Sequence, residues 1–563
     1  MKVIIVGGVA GGATAAARIR RLNEHAEITV FERSGYISYA NCGLPYYIGD
    51  VITDPEELTL QTPESFFKRF RINMKIHHEV ISIHPERKTV SVKNLENGEI
   101  FEENYDKLIL SPGAKPTQPR FPGVGMDKLF TLRTVEDTFR IKEYINKNHP
   151  KSAVLAGGGF IGLELAENLR ELGMDVTIVQ RPKQLMNPFD PDMASMIHNE
   201  MRKHGIKLVL GYTVEGFKEK DNGVEVLLKD NPSLQADMVV LAIGVTPDTV
   251  LAKEAGLELG IKESIVVNDR METSVPDIYA AGDAVQVKHY VTGNDALISL
   301  AGPANKQGRI IADNICGGDS RYLGSQGSSV IKVFDMTAAT TGINETNAKK
   351  SGLEVDTVIL SPMSHAGYYP GGKVMTMKVV FEKETYRLLG AQIIGYEGVD
   401  KRIDVLATAI HAGLKATQLK DLDLAYAPPY SSAKDPVNMA GFMIDNIAKG
   451  TLKQWHLEDM DKISRDKSVV LLDVRTVGEF NRGHMDGFKN IPVDELRERI
   501  NEIEKGKPVY LICQSGLRSY IASRILEGNG YETYNFSGGF RFYDAVVNDR
   551  ALIERAYACG MDY

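Results

Sequence analysis

The chain has 563 residues, too many for one hydrophobic core, so we expect roughly three to five domains. Apolar residues make up 43% and charged residues 25%, which is typical of a globular protein, and the net charge of −8 argues against a nucleic-acid partner. The sequence has no run of about 18 apolar residues and only four scattered cysteines, which argues against a membrane span and a disulfide framework and favours the reducing cytoplasm.

The first part of the chain predicts a nucleotide-binding βαβ unit. In chain order its parts are the strand Lys2–Val6, the turn at Gly7, Val9 and Gly12, the helix Ala13–Leu22 and the strand Ile28–Phe31. Val9 stands where a G-x-G-x-x-G turn has its middle glycine, so the turn alone would also suit an ordinary βα connection. Glu32 ends the second strand, where a carboxylate can accept hydrogen bonds from a ribose while the helix N-terminus faces a pyrophosphate. This context favours a bound dinucleotide.

The same unit recurs at residues 151–181 with a complete turn. Gly157, Gly159 and Gly162 match the pattern, and two such units predict two nucleotides. Gln180 stands at the strand end where NAD-specific chains carry an acidic residue. Because a neutral amide would not repel a 2′-phosphate and Arg181 could attract it, we expect both NADH and NADPH to be used. A solvated turn would explain Arg181 equally well.

Three further runs resemble those of a known family. Thr273–Asp283 resembles the flavin-binding signature of flavoproteins with two dinucleotide-binding domains, and Leu108–Gly113 and Val239–Pro247 resemble the crossovers between those domains. The resemblance implies bound FAD, with Asp283 on the ribityl chain. The implied FAD contacts are Gly7, Ala10, Gly12, Glu32, Arg33, Asn41, Val80, Ser111, Gly113, Arg133, Asp283 and Ala301. The implied NAD(P)H contacts are Gly157, Gly159, Phe160, Ile161, Gly162, Gln180, Arg181 and Gly244.

Cys42 is the predicted redox centre. Most disulfide reductases of this family carry a Cys-x4-Cys pair, but the residue five positions after Cys42 is Tyr47. The run Ser38–Pro45 resembles the coenzyme A-disulfide reductase and persulfide reductase branch. A single redox cysteine needs an external thiol or sulfur as its partner in a mixed disulfide. The NADH peroxidases and oxidases also use one cysteine, but they have a histidine in the first glycine turn that this chain lacks.

Basic residues on the first helix favour coenzyme A as a co-substrate. Thr14, Arg18 and Arg21 share one helix face, and Lys68, Arg69 and Arg71 form a second basic cluster. Arginine forks suit phosphates, although a solvated basic face would look the same. The coenzyme A contacts implied by the resemblance or by these clusters are Thr14, Arg18, Arg21, Ser38, Asn41, Lys68, Arg69, Arg71, Asn305 and Lys434.

The rest of the chain, from residue 326 onward, resembles two further domains. Residues 326–447 resemble the family's dimerisation domain, which implies a homodimer in which Tyr368 and Tyr426 reach Cys42 of the partner subunit. The last part resembles a rhodanese, with the loop from Cys513 to Arg518 as its C-x4-R signature. Inward-pointing amides and Arg518 would activate Cys513 as a sulfur carrier. Cys316 and Cys559 have no such setting.

The sequence therefore predicts an α/β protein with two Rossmann-like dinucleotide-binding domains, an α+β dimerisation domain and a C-terminal α/β rhodanese domain. The expected boundaries are 1–113 and 247–325 for the FAD domain, 114–246 for the NAD(P) domain, 326–447 for dimerisation, 448–456 for a linker and 457–563 for the rhodanese. The expected function is NAD(P)H-dependent reduction of coenzyme A disulfide, coenzyme A persulfide or polysulfide, without a metal. The alternatives are a peroxidase or oxidase that cycles through a cysteine-sulfenic acid, and a flavin redox sensor or sulfur-relay scaffold.

Overall fold

The computed structural model describes residues 1–119, 121–220 and 223–558, so Cys559 lies outside the described residues. The chain forms two compact units: Met1–Pro182 with Ile206–Gly327, and Lys183–Gly205 with Ser328–Tyr563. Residues 183–205, inside the range expected for the NAD(P) domain, thus pack with the second unit.

Two parallel five-stranded sheets form the centre of the first unit. In spatial order the first contains Ile278–Ala280, Lys107–Leu110, Lys2–Val6, Glu27–Phe31 and Asn73–Lys75. The second contains Leu129–Thr131, Met238–Leu241, Ser152–Ala156, Asp175–Gln180 and Lys207–Leu210. Their strands are buried apolar runs, as expected where helices cover both faces. This confirms the two predicted Rossmann-like domains.

The helices and smaller sheets of the first unit complete these layers. The helices are Ala10–Leu22, Leu44–Ile48, Pro63–Phe70, Val135–Asn148, Phe160–Glu171, Val250–Glu254 and Ala301–Ile315. The antiparallel sheets are Ile37–Tyr39 with Thr59–Gln61; His78–His84 with Thr89–Asn94 and Ile100–Asn104; Val214–Lys220 with Gly223–Leu228 and Asn231–Ala236; and Val287–Lys288 with Asp295–Ala296. The strand Ala114–Pro116 directly follows the first predicted crossover, Leu108–Gly113, and pairs antiparallel with Val245–Pro247 at the end of the second.

An antiparallel sheet forms one layer of the second unit. Its spatial order is Ser329–Val333, Met336–Gly342, Leu388–Gly395, Met375–Glu382 and Val355–Leu360. The helices Pro191–Lys203, Glu345–Lys350, Val399–His411 and Pro436–Ala448 belong to the same unit. The buried Lys378 joins the helix Pro191–Lys203 to this sheet, because its Nζ lies 2.8 Å from Asp192, 3.2 Å from Asp190 and 2.7 Å from Glu345.

A parallel sheet and its helices form the C-terminal part of the second unit. The strands in spatial order are Gln454–Trp455, Thr533–Phe536, Val509–Ile512, Val470–Asp473 and Lys489–Asn490. The helices are Met460–Ile463, Val477–Arg482, Leu517–Gly528 and Gly539–Ala558. The end of the expected linker 448–456 is thus an edge strand. Trp455 is buried there, and its indole N–H donates to the carbonyl of Leu511 at 3.3 Å.

Helix Gly539–Ala558 is tied to helix Pro191–Lys203 inside the second unit. The Asp549 carboxylate is buried, accepts a hydrogen bond from His198 Nδ1 at 2.8 Å and lies 2.5 Å from Arg202 Nη1. His198 Nε2 accepts from the backbone N–H of Leu185 at 2.9 Å, so the ring is neutral with its proton on Nδ1. No helix within the described part of the chain is both long and apolar enough to cross a membrane.

Candidate functional site

The first glycine turn forms a cradle at the N-terminus of helix Ala10–Leu22. Gly7 has φ +98°, and a Cβ there would lie 2.1 Å from the carbonyl oxygen of Ser111, so only glycine fits. The helix N-terminus has no side-chain cap and no acidic residue in its first turn, which leaves its N–H groups available to an anion. The buried Glu32 carboxylate accepts from the backbone N–H groups of Gly8 at 2.8 Å and Ser34 at 2.9 Å. These residues fit the pyrophosphate and ribose of a dinucleotide.

The second glycine turn repeats this geometry. Gly157 has φ +118°, and a Cβ there would lie 2.2 Å from the carbonyl oxygen of Ala242. The N–H of Gly158 donates to Gln180 Oε1 at 3.0 Å, as that of Gly8 does to Glu32. Gln180 therefore holds the position of Glu32 without its charge, at the end of strand Asp175–Gln180.

The other predicted FAD contacts lie in the first unit with the first cradle. Asp283 Oδ2 lies 2.6 Å from Arg133 Nη2, and Gly113 lies beside the same guanidinium. Arg33 pairs with Asp248 at 2.9 Å. The others are Val80, which is buried, Ser111 after strand Lys107–Leu110, Ala10 at the start of the first helix and Ala301 at the start of helix Ala301–Ile315. Gly244 of the second predicted set has φ +111°.

Cys42 lies exposed on the helical turn Asn41–Gly43, just before helix Leu44–Ile48. Ser38 precedes it with φ 46°, a conformation that a serine adopts at some cost. Partial burial raises the pKa of the Cys42 thiol, and the nearby charge of Glu164 raises it further, whereas Arg133 lowers it. The charges that act on the thiol thus come from Arg133 of the predicted FAD set and from Glu164 on helix Phe160–Glu171.

Glu164 is a candidate functional residue that the sequence did not predict. Tyr46 Oη donates to Glu164 Oε1 at 3.5 Å, and burial raises the pKa of this carboxyl to about 7. A carboxyl with this pKa can exchange a proton at neutral pH. The available sequence signal was an acidic residue two positions after Gly162, between Leu163 and Leu165 in the first half of the helix.

The predicted coenzyme A residues fall into four groups, of which Ser38 and Asn41 lie just before Cys42. Thr14 Oγ1 donates to Asn305 Oδ1 at 2.5 Å, so two of them are in contact. Arg18 Nε pairs with Asp313 at 2.8 Å, which partly neutralises it. Arg21, Lys68, Arg69, Arg71 and Lys434 are exposed. The structure thus brings Thr14 and Asn305 together and leaves exposed cations in both units.

Tyr368 and Tyr426 form a hydrogen-bonded pair on the second unit. Their Oη atoms lie 2.6 Å apart and both side chains are exposed. The hydrogen bond with Tyr368 raises the pKa of Tyr426. One hydroxyl of such a pair can donate to a sulfur anion while the other supports it.

The buried Arg402 holds the two segments that carry these tyrosines. Its guanidinium donates to the carbonyl of Ser364 at 2.9 Å, to the carbonyl of Tyr430 at 3.3 Å and to Asp435 Oδ2 at 3.1 Å. Tyr369 and Tyr430, which lie in the same two segments, are also exposed.

Cys513 lies at the end of strand Val509–Ile512 in a loop whose donors point inward. Its buried Sγ accepts from the N–H of Gly516 and from Ser519 Oγ, both at 3.1 Å. Asn535 Nδ2 donates to the Gly516 carbonyl at 3.2 Å and holds the loop. These donors would stabilise a sulfur anion at Cys513.

Arg518, which is predicted to close the Cys513 loop, forms an ion pair with Glu479. Both terminal nitrogens of Arg518 lie 2.7 Å from the Glu479 oxygens. This pair holds the pKa of Glu479 down at about 2, so the carboxylate is ionised at neutral pH. Sequence reasoning missed Glu479, although Thr476-x-x-Glu479 is a recognisable capping box.

Among residues 1–119, 121–220 and 223–558, no cluster of three histidine, cysteine or acidic side chains is arranged to hold a metal ion.

Comparisons with known families cover most of the chain. The pyridine nucleotide-disulphide oxidoreductase model matches residues 1–308, its dimerisation domain matches 328–436, and the rhodanese-like domain matches 456–545.

Individual relatives agree with these matches. A coenzyme A disulfide reductase of Staphylococcus aureus is 38% identical over 442 residues, which is 78% of this chain and 99% of that protein. The crystal structure of reduced CoADR-RHD from Bacillus anthracis has a TM-score of 0.95 at 48% identity and covers 98% of both chains. An NAD-dependent persulfide reductase from A. fulgidus has a TM-score of 0.90 at 38% identity, over 96% of this chain and 100% of that one.

Proposed function

Because this chain belongs to the pyridine nucleotide-disulphide oxidoreductase family, we propose that it is a flavoprotein that uses NAD(P)H to cleave sulfur–sulfur bonds at Cys42. The observation that carries this proposal is the position of one exposed thiol within the electrostatic reach of Arg133, Asp283 and Glu164. These residues come from the two dinucleotide-binding halves. The glycine cradles, which admit no Cβ at Gly7 or Gly157, support FAD in the first half and NAD(P)H in the second.

The Cys42 thiolate attacks one sulfur of the substrate, and the second sulfur leaves with the electron pair of the broken bond. The products are a mixed disulfide on Cys42 and one thiolate. When bound, FAD and NAD(P)H would supply the two electrons that cleave the mixed disulfide into the Cys42 thiolate and a second product thiolate. Burial raises the pKa of the Cys42 thiol, whereas the positive charge of Arg133 lowers it and so favours the thiolate. Because the pKa of the Glu164 carboxyl is about 7, this group can accept or return a proton near neutral pH.

Tyr368 and Tyr426 would protonate the leaving thiolate from the partner subunit of a homodimer. The match to the dimerisation domain and the exposure of both tyrosines support this arrangement. Because the two phenols are hydrogen-bonded, one can donate its proton to the leaving thiolate while the other stabilises the resulting phenolate.

Coenzyme A disulfide or coenzyme A persulfide is the proposed substrate. The names of the Staphylococcus aureus and A. fulgidus relatives support these two sulfur chemistries. The exposed cations Arg21, Lys68, Arg69 and Lys434 suit the phosphates of coenzyme A. Cys513 would accept sulfane sulfur in its amide-lined loop and pass it to coenzyme A or to Cys42, with hydrogen sulfide or a thiol as the final product.

Anaerobic consumption of NADH and NADPH with a panel of acceptors tests this function. We expect turnover with coenzyme A disulfide, coenzyme A persulfide or polysulfide, and its loss in Cys42→Ser. Efficient turnover with hydrogen peroxide alone would establish the peroxidase alternative instead. Reduction of the flavin without multiple turnover on any sulfur substrate would favour a sensor or relay scaffold.

A further inference from the structure

The two arginines tied to the Cys513 loop are both neutralised by carboxylates. Arg518 is held at both terminal nitrogens by Glu479. Arg475 lies buried against Asp473 at 2.6 Å, and its guanidinium stacks 3.8 Å from the centre of the Phe540 ring. The charge of each guanidinium is therefore already balanced by a carboxylate.

Glu479 is fixed from a second side. The backbone N–H and the hydroxyl of Thr476 donate to Glu479 Oε2 at 3.0 Å and 2.8 Å, as the cap of helix Val477–Arg482. The carboxylate cannot turn away from the loop without losing these bonds and its pair with Arg518. The exposed Arg541 also touches the loop, but only its backbone N–H is bonded there, to Gln514 at 3.2 Å, and water screens its charge.

We propose that Glu479 selects the sulfur donor of the rhodanese-like domain: it favours persulfides of uncharged thiols over thiosulfate. This inference rests on the proposed sulfur-carrier function of Cys513. A leaving thiol brings no fixed charge to the loop, whereas the leaving sulfite of thiosulfate is a dianion that would need a cation, and Glu479 already neutralises Arg518. A guanidinium whose charge is balanced attracts a second anion only weakly, which disfavours binding of thiosulfate and transfer from it.

The transfer itself balances without a further reactant. The Cys513 thiolate attacks the outer sulfur of the persulfide R–S–SH, and the bond between the two donor sulfurs breaks. A new sulfur–sulfur bond forms at Cys513 Sγ. The leaving R–S takes the electron pair and the proton of the outer sulfur to become R–SH, which leaves a persulfide anion on Cys513. With thiosulfate, the same step would release sulfite.

The substitution Glu479→Gln tests this proposal, because glutamine keeps the capping box but removes the charge that neutralises Arg518. The full chain is mixed with thiosulfate or with the persulfide of N-acetylcysteine amide. The initial rate of sulfur loading on Cys513 is then measured by alkylation and peptide mass spectrometry. We expect the ratio of thiosulfate to persulfide rates to rise about tenfold or more in the variant. Glu495→Gln, which removes a carboxylate from the exposed pair with Arg499, should leave the ratio unchanged.

Two results would overturn the proposal. A ratio that is the same in the wild type and in Glu479→Gln would refute donor selection by Glu479 while leaving the sulfur-carrier function intact. Failure of every donor to load Cys513 in the wild type would refute both the carrier function and the inference that rests on it. The ratio removes any change in Cys513 reactivity that both donors share.

Discussion

Replacement of Lys378 by methionine should destabilise the second unit strongly. The Lys378 ammonium is fully buried and lies within 3.2 Å of three carboxylates, those of Asp190, Asp192 and Glu345. Methionine fills a similar volume but leaves these carboxylates facing one another. Breaking a buried ion pair from one side typically costs about 3–5 kcal/mol, and we expect a loss of this size near neutral pH.

The loss should depend on pH with a definite sign. Burial alone would raise the pKa of Asp190 and Glu345, but Lys378 and their hydrogen-bond donors outweigh it and hold both pKa values below normal. In the wild type this stability is present above the unfolded carboxylate pKa of about 4 and is lost as the pH falls through the lower folded values. Without Lys378 the carboxylate pKa values rise, so the variant loses stability as the pH increases. The difference should therefore be larger at about pH 8 than at about pH 5.

Urea unfolding measured by tryptophan fluorescence and circular dichroism checks this prediction. The chain has one tryptophan, Trp455, which is buried in the second unit, so its emission reports on that unit. Lys349→Met is the matched control, because Lys349 also pairs with Glu345 but is half exposed and should cost at most about 1 kcal/mol. A Lys378→Met loss no larger than that of the control, or one that does not change with pH, would refute the reasoning.

Four further predictions concern the chemistry. Cys42→Ser should keep bound flavin, seen in its absorption spectrum, but lose turnover with sulfur substrates, and near-wild-type turnover would exclude the mechanism. Cys513→Ala should abolish sulfur transfer from persulfide or thiosulfate and leave reduction of free coenzyme A substrates intact, whereas loss of both would indicate an obligatory relay. If Tyr426→Phe alone is impaired, hybrid dimers of Cys42→Ser and Tyr426→Phe subunits should regain activity, and verified hybrids without activity would contradict sites shared between subunits. The kcat/KM for NADPH should lie within tenfold of that for NADH, about 1.4 kcal/mol, because Gln180 has no charge to repel a 2′-phosphate, and an NADH preference above a hundredfold would contradict this role of Gln180.

Features set by nearby residues could be predicted from the sequence. A side chain at Gly157 or Gly162 would collide with a backbone carbonyl, so only glycine fits these two positions. The spacing of the two glycines therefore predicts the turn. Cys513 follows a strand and opens a loop, as its local pattern indicated. The first helix begins at Ala10 rather than Ala13, because Val9 already accepts the first helical hydrogen bond and close packing outweighs the low helix propensity of two glycines.

Contacts between distant residues could not be predicted. Glu164 meets Tyr46 across 118 positions, and Glu479 meets Arg518 across 39. Arg402 meets Asp435 across 33 positions and orders the tyrosine segments from inside the unit, where no local pattern marks it. The edge strand Gln454–Trp455 could not be predicted either, because a strand of two residues is recognised only by its pairing with a distant strand.

Because residues 183–205 pack in the second unit, the rhodanese-like domain cannot be removed without disturbing them. Asp549 of the last helix is the buried partner of both His198 and Arg202, so truncation before the rhodanese-like part would expose His198 and leave Arg202 without its carboxylate. Helix Pro191–Lys203 is therefore packed against the last helix through specific buried contacts, in addition to the covalent connection of the chain. A shortened version would need new surface residues on helix Pro191–Lys203, and exchange with a foreign rhodanese would succeed best if that domain kept an acidic residue at the position of Asp549.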